Sequence, residues 1–485
     1  MIELTDISFQ YGGDEQNNSL SHIDLKVKKG EVLLLCGESG CGKTTITRMI
    51  NGLIPQFYEG KVSGNVTVDR KKVMEQPICD TARIVGSVFQ NPRSQFFNVD
   101  VNSELVFGCE NMGWELKKIK QRRKQIVQEF GINNLTNRSI FELSGGEKQK
   151  IACASVAMID TPVIVLDEPS ASLDYDSIDE LKNLLHMWKR KGKTIVIAEH
   201  RLYYLRDIAD RIIFMKGGKI EKEFTGEQFY KLSVKEIKAM GLRCPSLSEL
   251  FIEKKPAPAK ESIEICDFVF SYKKASKQAL HMEKLKIPRG KIIAIIGHNG
   301  AGKSTFARCL CGLEKRCRGK VGGMSGKERL KKCYMVMQDV GHQLFTESVL
   351  EEVQISMKDE NDEIGAEKIL ENLDLDSLKD RHPQSLSGGQ RQRVAIASAI
   401  ASERDYLVFD EPTSGLDLRH MQEVSEMICG LSSQNKTIFL ITHDLELIFS
   451  CCDHILHIEN GEVADQYDLD ELGEQKLKAF YGIVT

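Results

Sequence analysis

Short, nearly uninterrupted apolar runs recur along this chain, each ending in a polar or glycine-rich break. Val32–Cys36, Val163–Leu166, Thr194–Ala198 and Ile292–Ile296 are the clearest. Runs of this length without polar alternation suit strands buried on both faces, the habit of a parallel sheet covered by helices. Glu31 to Cys36 predicts a strand entering a glycine-rich loop, Thr44 to Asn51 a helix leaving it, and Ala366 to Leu373 a further helix. Strands alternating with helices place the chain in the α/β class. No apolar run approaches the roughly 18 residues needed to cross a bilayer. The start, Met1-Ile2-Glu3-Leu4-Thr5-Asp6, lacks the basic region and long apolar core of a signal peptide.

The pattern occurs twice. Gly37-Glu38-Ser39-Gly40-Cys41-Gly42-Lys43-Thr44 and Gly297-His298-Asn299-Gly300-Ala301-Gly302-Lys303-Ser304 both match G-x-x-x-x-G-K-[ST]. Each is followed by Leu-Ser-Gly-Gly (Leu143–Gly146; Leu386–Gly389), then an apolar run ending in Asp-Glu-Pro, then an apolar strand and a histidine, His200 or His443. Lys43 and Lys303 are 260 residues apart; Ser144 and Ser387, Glu168 and Glu411, and His200 and His443 are all 243 apart. The second copy is therefore 17 residues shorter between loop and signature and in register afterwards. The copies also begin alike, at Ile2-Glu3-Leu4 and Ile263-Glu264-Ile265. The Pro- and Lys-rich stretch around Pro256 reads as an exposed linker. The expected division is a first domain over 1–253, a linker over 254–261 and a second domain over 262–485.

Composition narrows the classes. The 485 residues suffice for two domains with substantial cores. A net charge of −4 argues against a strongly nucleic-acid-binding surface. The 14 cysteines are scattered without zinc-site spacing and read as reduced, mostly buried thiols. Cys41, inside the first glycine loop, is a site where an alkylating reagent could block binding.

The motifs have a common chemistry. Gly37, Gly40 and Gly42, and Gly297, Gly300 and Gly302, let backbone N–H groups turn toward phosphate oxygens, with the positive end of the following helix behind them. Lys43 and Lys303 supply a cation for the β- and γ-phosphates; Thr44 and Ser304 supply a hydroxyl for Mg²⁺. Asp167 and Asp410, ending buried strands, suit the Mg²⁺ shell. Glu168 and Glu411 suit a general base acting on the attacking water. Ser144-Gly145-Gly146 and Ser387-Gly388-Gly389 each form a second anion site at a helix start. One segment rarely needs two phosphate sites for one nucleotide, so each signature is expected to clamp the nucleotide held by the other copy.

Both copies resemble nucleotide-binding domains of ATP-binding-cassette (ABC) proteins over nearly the whole chain. The resemblance implies two tandem P-loop NTPase domains, each with a mainly parallel central sheet, an antiparallel β subdomain and a helical signature subdomain. It implies ATP and Mg²⁺ as cofactors and head-to-tail pairing, in which Gly37–Thr44 meets Ser387–Gly389 and Gly297–Ser304 meets Ser144–Gly146. By the same resemblance Gln90 and Gln338 contact Mg²⁺ and the attacking water, and Asp174 and Asp417 link the two sites. His200 and His443 are switch histidines for the γ-phosphate. Thr45 and Thr305 belong to the phosphate loops, and Tyr11 and Tyr272 match the aromatic that stacks on adenine, although each also suits a turn or core tyrosine. The copies differ at their edges: Glu147-Lys148-Gln149-Lys150 against Gln390-Arg391-Gln392-Arg393, and Ala198-Glu199-His200-Arg201 against Thr442-His443-Asp444.

Gln90-Asn91-Pro92-Arg93-Ser94-Gln95-Phe96-Phe97 and Gln338-Asp339-Val340-Gly341-His342-Gln343-Leu344-Phe345 share Q-x-x-x-x-Q-[FL]-F. This pattern, with the Glu199-His200-Arg201-Leu202 switch, resembles the ATPase subunits of energy-coupling-factor (ECF) transporters, which import vitamins and transition-metal ions. The resemblance implies an ATP-hydrolysing motor at the cytoplasmic face of the membrane. Its partners would be an integral membrane scaffold and a separate substrate-binding membrane subunit, with no nucleic acid. An exposed Phe-Phe or Leu-Phe beside carboxylates suits an amphipathic partner helix; the less favoured alternative is that Phe96, Phe97 and Phe345 are core. A soluble tandem ABC ATPase acting on ribosomes or nucleic acid, and a nucleotide-dependent regulator with little turnover, are the alternatives.

Overall fold

The computed structural model describes residues 1–12, 19–252, 261–273 and 278–483. The chain divides into two compact units, Met1–Ser246 and Leu247–Thr485. All but Glu261 of the expected linker 254–261 lies outside the described residues.

The central sheet of the first unit runs, in spatial order, Lys219–Thr225, Arg211–Lys216, Val32–Gly37, Thr194–Ala198, Val163–Asp167 and Val85–Val88. All its neighbours pair in parallel except the first two, which are antiparallel. The second unit repeats this order with Glu462–Asp468, His454–Glu459, Ile292–Ile296, Thr437–Ile441, Tyr406–Asp410 and Cys333–Val336. A separate antiparallel sheet stands in each: Leu20–Val27, Ile2–Tyr11, Gly60–Val68 and Lys71–Lys72 in the first, and Leu280–Pro288, Ser262–Phe270 and Arg318–Val321 in the second. Helices complete the architecture expected of tandem P-loop domains.

The apolar runs are explained by two-sided burial. Leu33, Leu35, Val163 and Val165 pack with the antiparallel sheet and with Ile46, Met49 and Ile50 of the helix Lys43–Ile50. Val32, Leu34, Cys36, Ile164 and Leu166 face the opposite layer, among Leu105, Ile151 and Trp188. Alternate residues of one strand thus feed two cores, and no position is left for a polar residue. The expected helix at 366–373 is Glu363–Glu371; its start is fixed by Asp362, whose carboxylate accepts from the Gly365 N–H.

One close approach sets the geometry of each glycine loop. Gly37 has φ +148°, and a Cβ there would meet the Met215 carbonyl oxygen at 2.3 Å; the matching distance from Gly297 to the Ile458 carbonyl is 2.0 Å. Only glycine lets the strand turn into the loop against its neighbour. Gly37→Ala is expected to destabilise the protein by roughly 1–3 kcal/mol, read as a lower midpoint in thermal unfolding. An unchanged midpoint would contradict this packing.

Candidate nucleotide sites

Parallel pairing brings the carboxyl ends of Val32–Gly37, Thr194–Ala198 and Val163–Asp167 side by side, and the predicted residues of the first copy gather there. The loop Gly37–Thr44 leads into the helix Lys43–Ile50, with Gly37, Gly40 and Gly42 all at positive φ. Lys43 is buried and its Nζ donates to the carbonyls of Gly37 (2.9 Å) and Glu38 (3.0 Å), beside the buried Cys41 Sγ at 3.8 Å. Lys303 donates likewise to Gly297 (2.6 Å) and His298 (3.0 Å). An ammonium held by loop carbonyls is placed where phosphate oxygens bound in the loop can replace those carbonyls.

The acidic pair divides its work by backbone geometry. Asp167 Oδ1 accepts from Thr44 Oγ1 at 3.0 Å, and Asp410 is bonded by the Ser304 side chain. Burial, reinforced by the neighbouring Glu168 charge, pushes Asp167 from 3.8 up to about 6, and burial raises Asp410 too. A hydroxyl beside a carboxylate that is costly to ionise alone is a donor set that fits a hard divalent cation. The next residue turns away: Glu168 and Glu411 have φ +44° and +51°, a left-handed conformation that non-glycine residues adopt at a cost. This turn directs Glu168 Oε2 to the Gln90 amide (2.6 Å) and Oε1 to within 3.3 Å of His200 Nε2. His443 Nε2 lies 3.7 Å from Glu411 Oε1. Gln338 is exposed just beyond the strand Cys333–Val336.

The signatures start helices. Ser144 caps Gly145–Ile159 and Ser387 caps Gly388–Ala401, each in a reciprocal capping box, with Glu147 and with Gln390. In both, the serine and the first glycine are exposed, so the helix end is open to an anion. Asp174 and Asp417 are buried caps of Tyr175–Arg190 and Leu418–Ser433. Tyr11 is half-buried; its hydroxyl accepts from Arg48 (2.9 Å), lies 3.4 Å from Thr45 Oγ1, and its ring stands edge-on to Phe9. Tyr272 is more exposed and its hydroxyl lies 2.9 Å from Thr305 Oγ1.

The family model described as ABC transporter matches residues 20–171 and 280–414, which carry both glycine loops, both signatures and both acidic pairs. The chain belongs to the ABC transporter family. It is an ATP-binding ATPase with two such domains in tandem. A Treponema denticola protein provisionally named as an ABC transporter ATP-binding protein is 47% identical, with 99% of each chain covered. A Bacillus subtilis protein provisionally named as an HMP/thiamine import ATP-binding protein is 29% identical, covering 96% of this chain and 91% of its own. Among solved structures, a model of ribosome-bound archaeal Pelota and ABCE1 matches with TM-score 0.71 and 22% identity, over 98% of this chain and 80% of that one, a likeness of fold.

Sequence reasoning missed one pair of residues in these ABC domains. After each glutamine, the aromatic segment is pinned by a buried carboxylate. Glu104 Oε2 accepts from the Phe97 and Asn98 N–H groups at 3.0 and 2.8 Å, and Glu352 Oε2 from the Phe345 and Thr346 N–H groups at 2.9 and 3.0 Å. The signal was present: Glu104 follows Gln90, and Glu352 follows Gln338, by the same 14 residues. The pinned backbone leaves Phe97 76% and Phe345 72% exposed, whereas Phe96 packs partly against the core and Leu344 is buried.

Asp167 carries a pH signature. Its carboxyl holds a proton more tightly in the folded chain than its ordinary 3.8, so its ionisation weakens the nucleotide-free fold progressively from about pH 4 to pH 6, and fully above that. Asp167→Asn is expected to raise nucleotide-free stability at pH 7.5 by about 2–3 kcal/mol, with most of the gain gone at pH 4.5. Thermal unfolding at the two values checks this; an equal effect at both would contradict it.

Proposed function

We propose that this ABC ATPase is the motor subunit of an ECF-type importer of a vitamin or metal ion. It would act as a peripheral protein at the cytoplasmic face of the cell membrane, on an integral scaffold that carries a separate substrate-binding subunit. The observation that carries the reading is the duplicated display of an exposed phenylalanine, each held out by a buried glutamate and placed seven residues after a glutamine assigned to the nucleotide site. Phe97 also stacks on Phe107, with ring centroids 5.0 Å apart. Single exposed aromatics are common, but two at equivalent positions, each fixed by two backbone hydrogen bonds, suit an apolar helix face that reports to the preceding glutamine. The Bacillus subtilis relative's name supports import; the likeness to archaeal ABCE1 concerns fold and does not bear on this choice. Among the described residues no helix is long and apolar enough to cross a membrane, so transport through this chain requires a partner that does.

The chemistry proposed for the residues is that implied by the resemblance to ABC domains, supported in the first copy by the Thr44–Asp167, Gln90–Glu168 and His200–Glu168 distances. Lys43 and Lys303 leave the loop carbonyls for the β- and γ-phosphates. Tyr11 and Tyr272 stack on adenine, with Thr45 and Thr305 fixing their hydroxyls. Bound Mg²⁺ offsets phosphate charge, and Thr44, Asp167 and Gln90, or Ser304, Asp410 and Gln338, are the residues that would hold it. Glu168 and Glu411 take the proton of the attacking water, oriented by Gln90 and Gln338 and by His200 and His443.

Glu168→Gln and Glu411→Gln are each expected to lower ATP hydrolysis at least fivefold while ATP binding persists; full turnover in either variant would remove the general-base assignment. Phe97→Asp and Phe345→Asp are expected to abolish co-purification with an integral membrane protein from detergent extracts and to leave the soluble ATPase rate within twofold. Recovery of the wild-type chain with ribosomes and no membrane protein would contradict the transport reading.

A further inference from the structure

The two switch histidines sit in different hydrogen-bond frames. Around His200 the frame is built on Glu199, a carboxylate only 2% exposed. Its Oε1 accepts from the backbone N–H of His200 at 2.8 Å and of Arg201 at 3.2 Å, and its Oε2 from Tyr204 Oη at 2.8 Å and the Ser170 N–H at 3.3 Å. The Tyr204 phenol is pushed far up by burial and by the Glu199 charge, so it remains a donor. Arg201, also buried, donates from Nη1 to the carbonyls of Ser170 (3.3 Å) and Leu173 (3.0 Å). Ser170 lies two residues after Glu168, and Leu173 immediately precedes Asp174, the cap of the next helix. One carboxylate and one guanidinium therefore tie the histidine segment to both ends of the loop that follows the acidic pair.

The second copy reaches the same end with other groups. Thr442 stands at the position of Glu199 and Asp444 at that of Arg201. Asp444 Oδ2 accepts from Thr413 Oγ1 at 2.7 Å, its N–H donates to Thr442 Oγ1 at 3.0 Å, and Thr442 Oγ1 lies 3.4 Å from Glu411 Oε2. A neutral hydroxyl thus lies beside the second general-base candidate, while the first copy collects four donors on the Glu199 carboxylate. The histidine-to-glutamate distance is shorter in the first copy, 3.3 Å against 3.7 Å.

We propose that Glu199 is a positioning residue for hydrolysis at the first glycine loop. It fixes the backbone of His200 against the strand end bearing Glu168 and, with Tyr204 and Arg201, replaces the Thr442–Asp444 pair of the second copy. Glu199 accepts from the backbone N–H groups of His200 and Arg201 directly, whereas Asp444 accepts from Thr413 Oγ1 and from the Leu447 N–H of the helix it caps, so the carboxylate of the first copy acts on the histidine's own backbone. Its loss costs orientation of His200 rather than affinity for nucleotide. This proposal rests on the reading of His200 as the histidine that contacts the γ-phosphate.

The test uses the full chain in a Glu411→Gln background, where residual turnover belongs to the first loop. Glu199→Gln replaces one accepting oxygen by an NH2 donor, which must face either the His200 and Arg201 N–H groups or the Ser170 N–H; kcat is expected to fall at least tenfold with KM for ATP within twofold. The double change Glu199→Thr with Arg201→Asp recreates the Thr-His-Asp frame, with Ser170 in place of Thr413, and is expected to recover at least a third of the lost rate. Tyr204→Phe, which removes one donor and no packing volume, is expected to lower kcat two- to fivefold and serves if the other variants fold poorly. An unchanged kcat in Glu199→Gln or Tyr204→Phe would overturn the proposal. So would a double variant no faster than Glu199→Thr alone, or parallel changes in KM and kcat that track the fraction folded. His200→Ala separates the two layers: if it leaves turnover intact the reading of the site fails, whereas slow His200→Ala with unaffected Glu199→Gln removes only the positioning role.

Discussion

The hydrogen bond from Thr44 to Asp167 joins the two chain segments on which the first site is built, 123 residues apart. It exists because parallel pairing sets the strand that ends at Gly37 one strand away from the strand that ends at Asp167, with Thr194–Ala198 between them. Every other group at the site is placed by the same arrangement. Lys43 enters on the helix that follows Gly37. Glu168 turns off the end of its strand in a left-handed conformation, and His200 follows the strand that pairs with both. Asp167 itself bears the cost, since burial among apolar strands opposes its ionisation. A site that is strained and poorly solvated at one carboxylate gains most from binding a cation there.

Strand and helix types were legible because two-sided burial leaves no room for polar residues. Leu33 and Leu34 serve opposite cores, so the run around them could only be apolar. The site residues were legible because phosphate chemistry demands particular groups in a fixed order, twice. The frames that hold those groups were not. Glu104 and Glu199 are ordinary acidic residues in sequence, and their work depends on backbone N–H groups brought to them by folding. Glu199 stands out in sequence as part of an unusual switch segment, but its work rests on Ser170, 29 residues earlier, which no local pattern connects to it. Phe96 and Phe97 are adjacent and chemically identical; which of them is exposed is decided by Glu104, through its bond to the Phe97 N–H.

Duplication has preserved the reacting groups and let their supports diverge. Both copies carry Lys, Asp, Glu, Gln and His at matching positions, while the frame around the histidine is Thr442 and Asp444 in the second and Glu199, Tyr204 and Arg201 in the first. The signature cap partner is Gln390 in the second and Glu147 in the first, where an ion pair to Arg138 stands at 3.0 Å. Such differences change the hydrogen bonding and local charge around each site and remove no reacting group.

The central claim is that one chain holds two nucleotide sites built on Lys43 and Lys303. Equilibrium binding of Mg²⁺–ATP to the purified full chain tests it most directly. The account predicts two ATP per chain, falling to one in Lys43→Ala and to one in Lys303→Ala. A stoichiometry of one for the unaltered chain, or of two in either lysine variant, would contradict it.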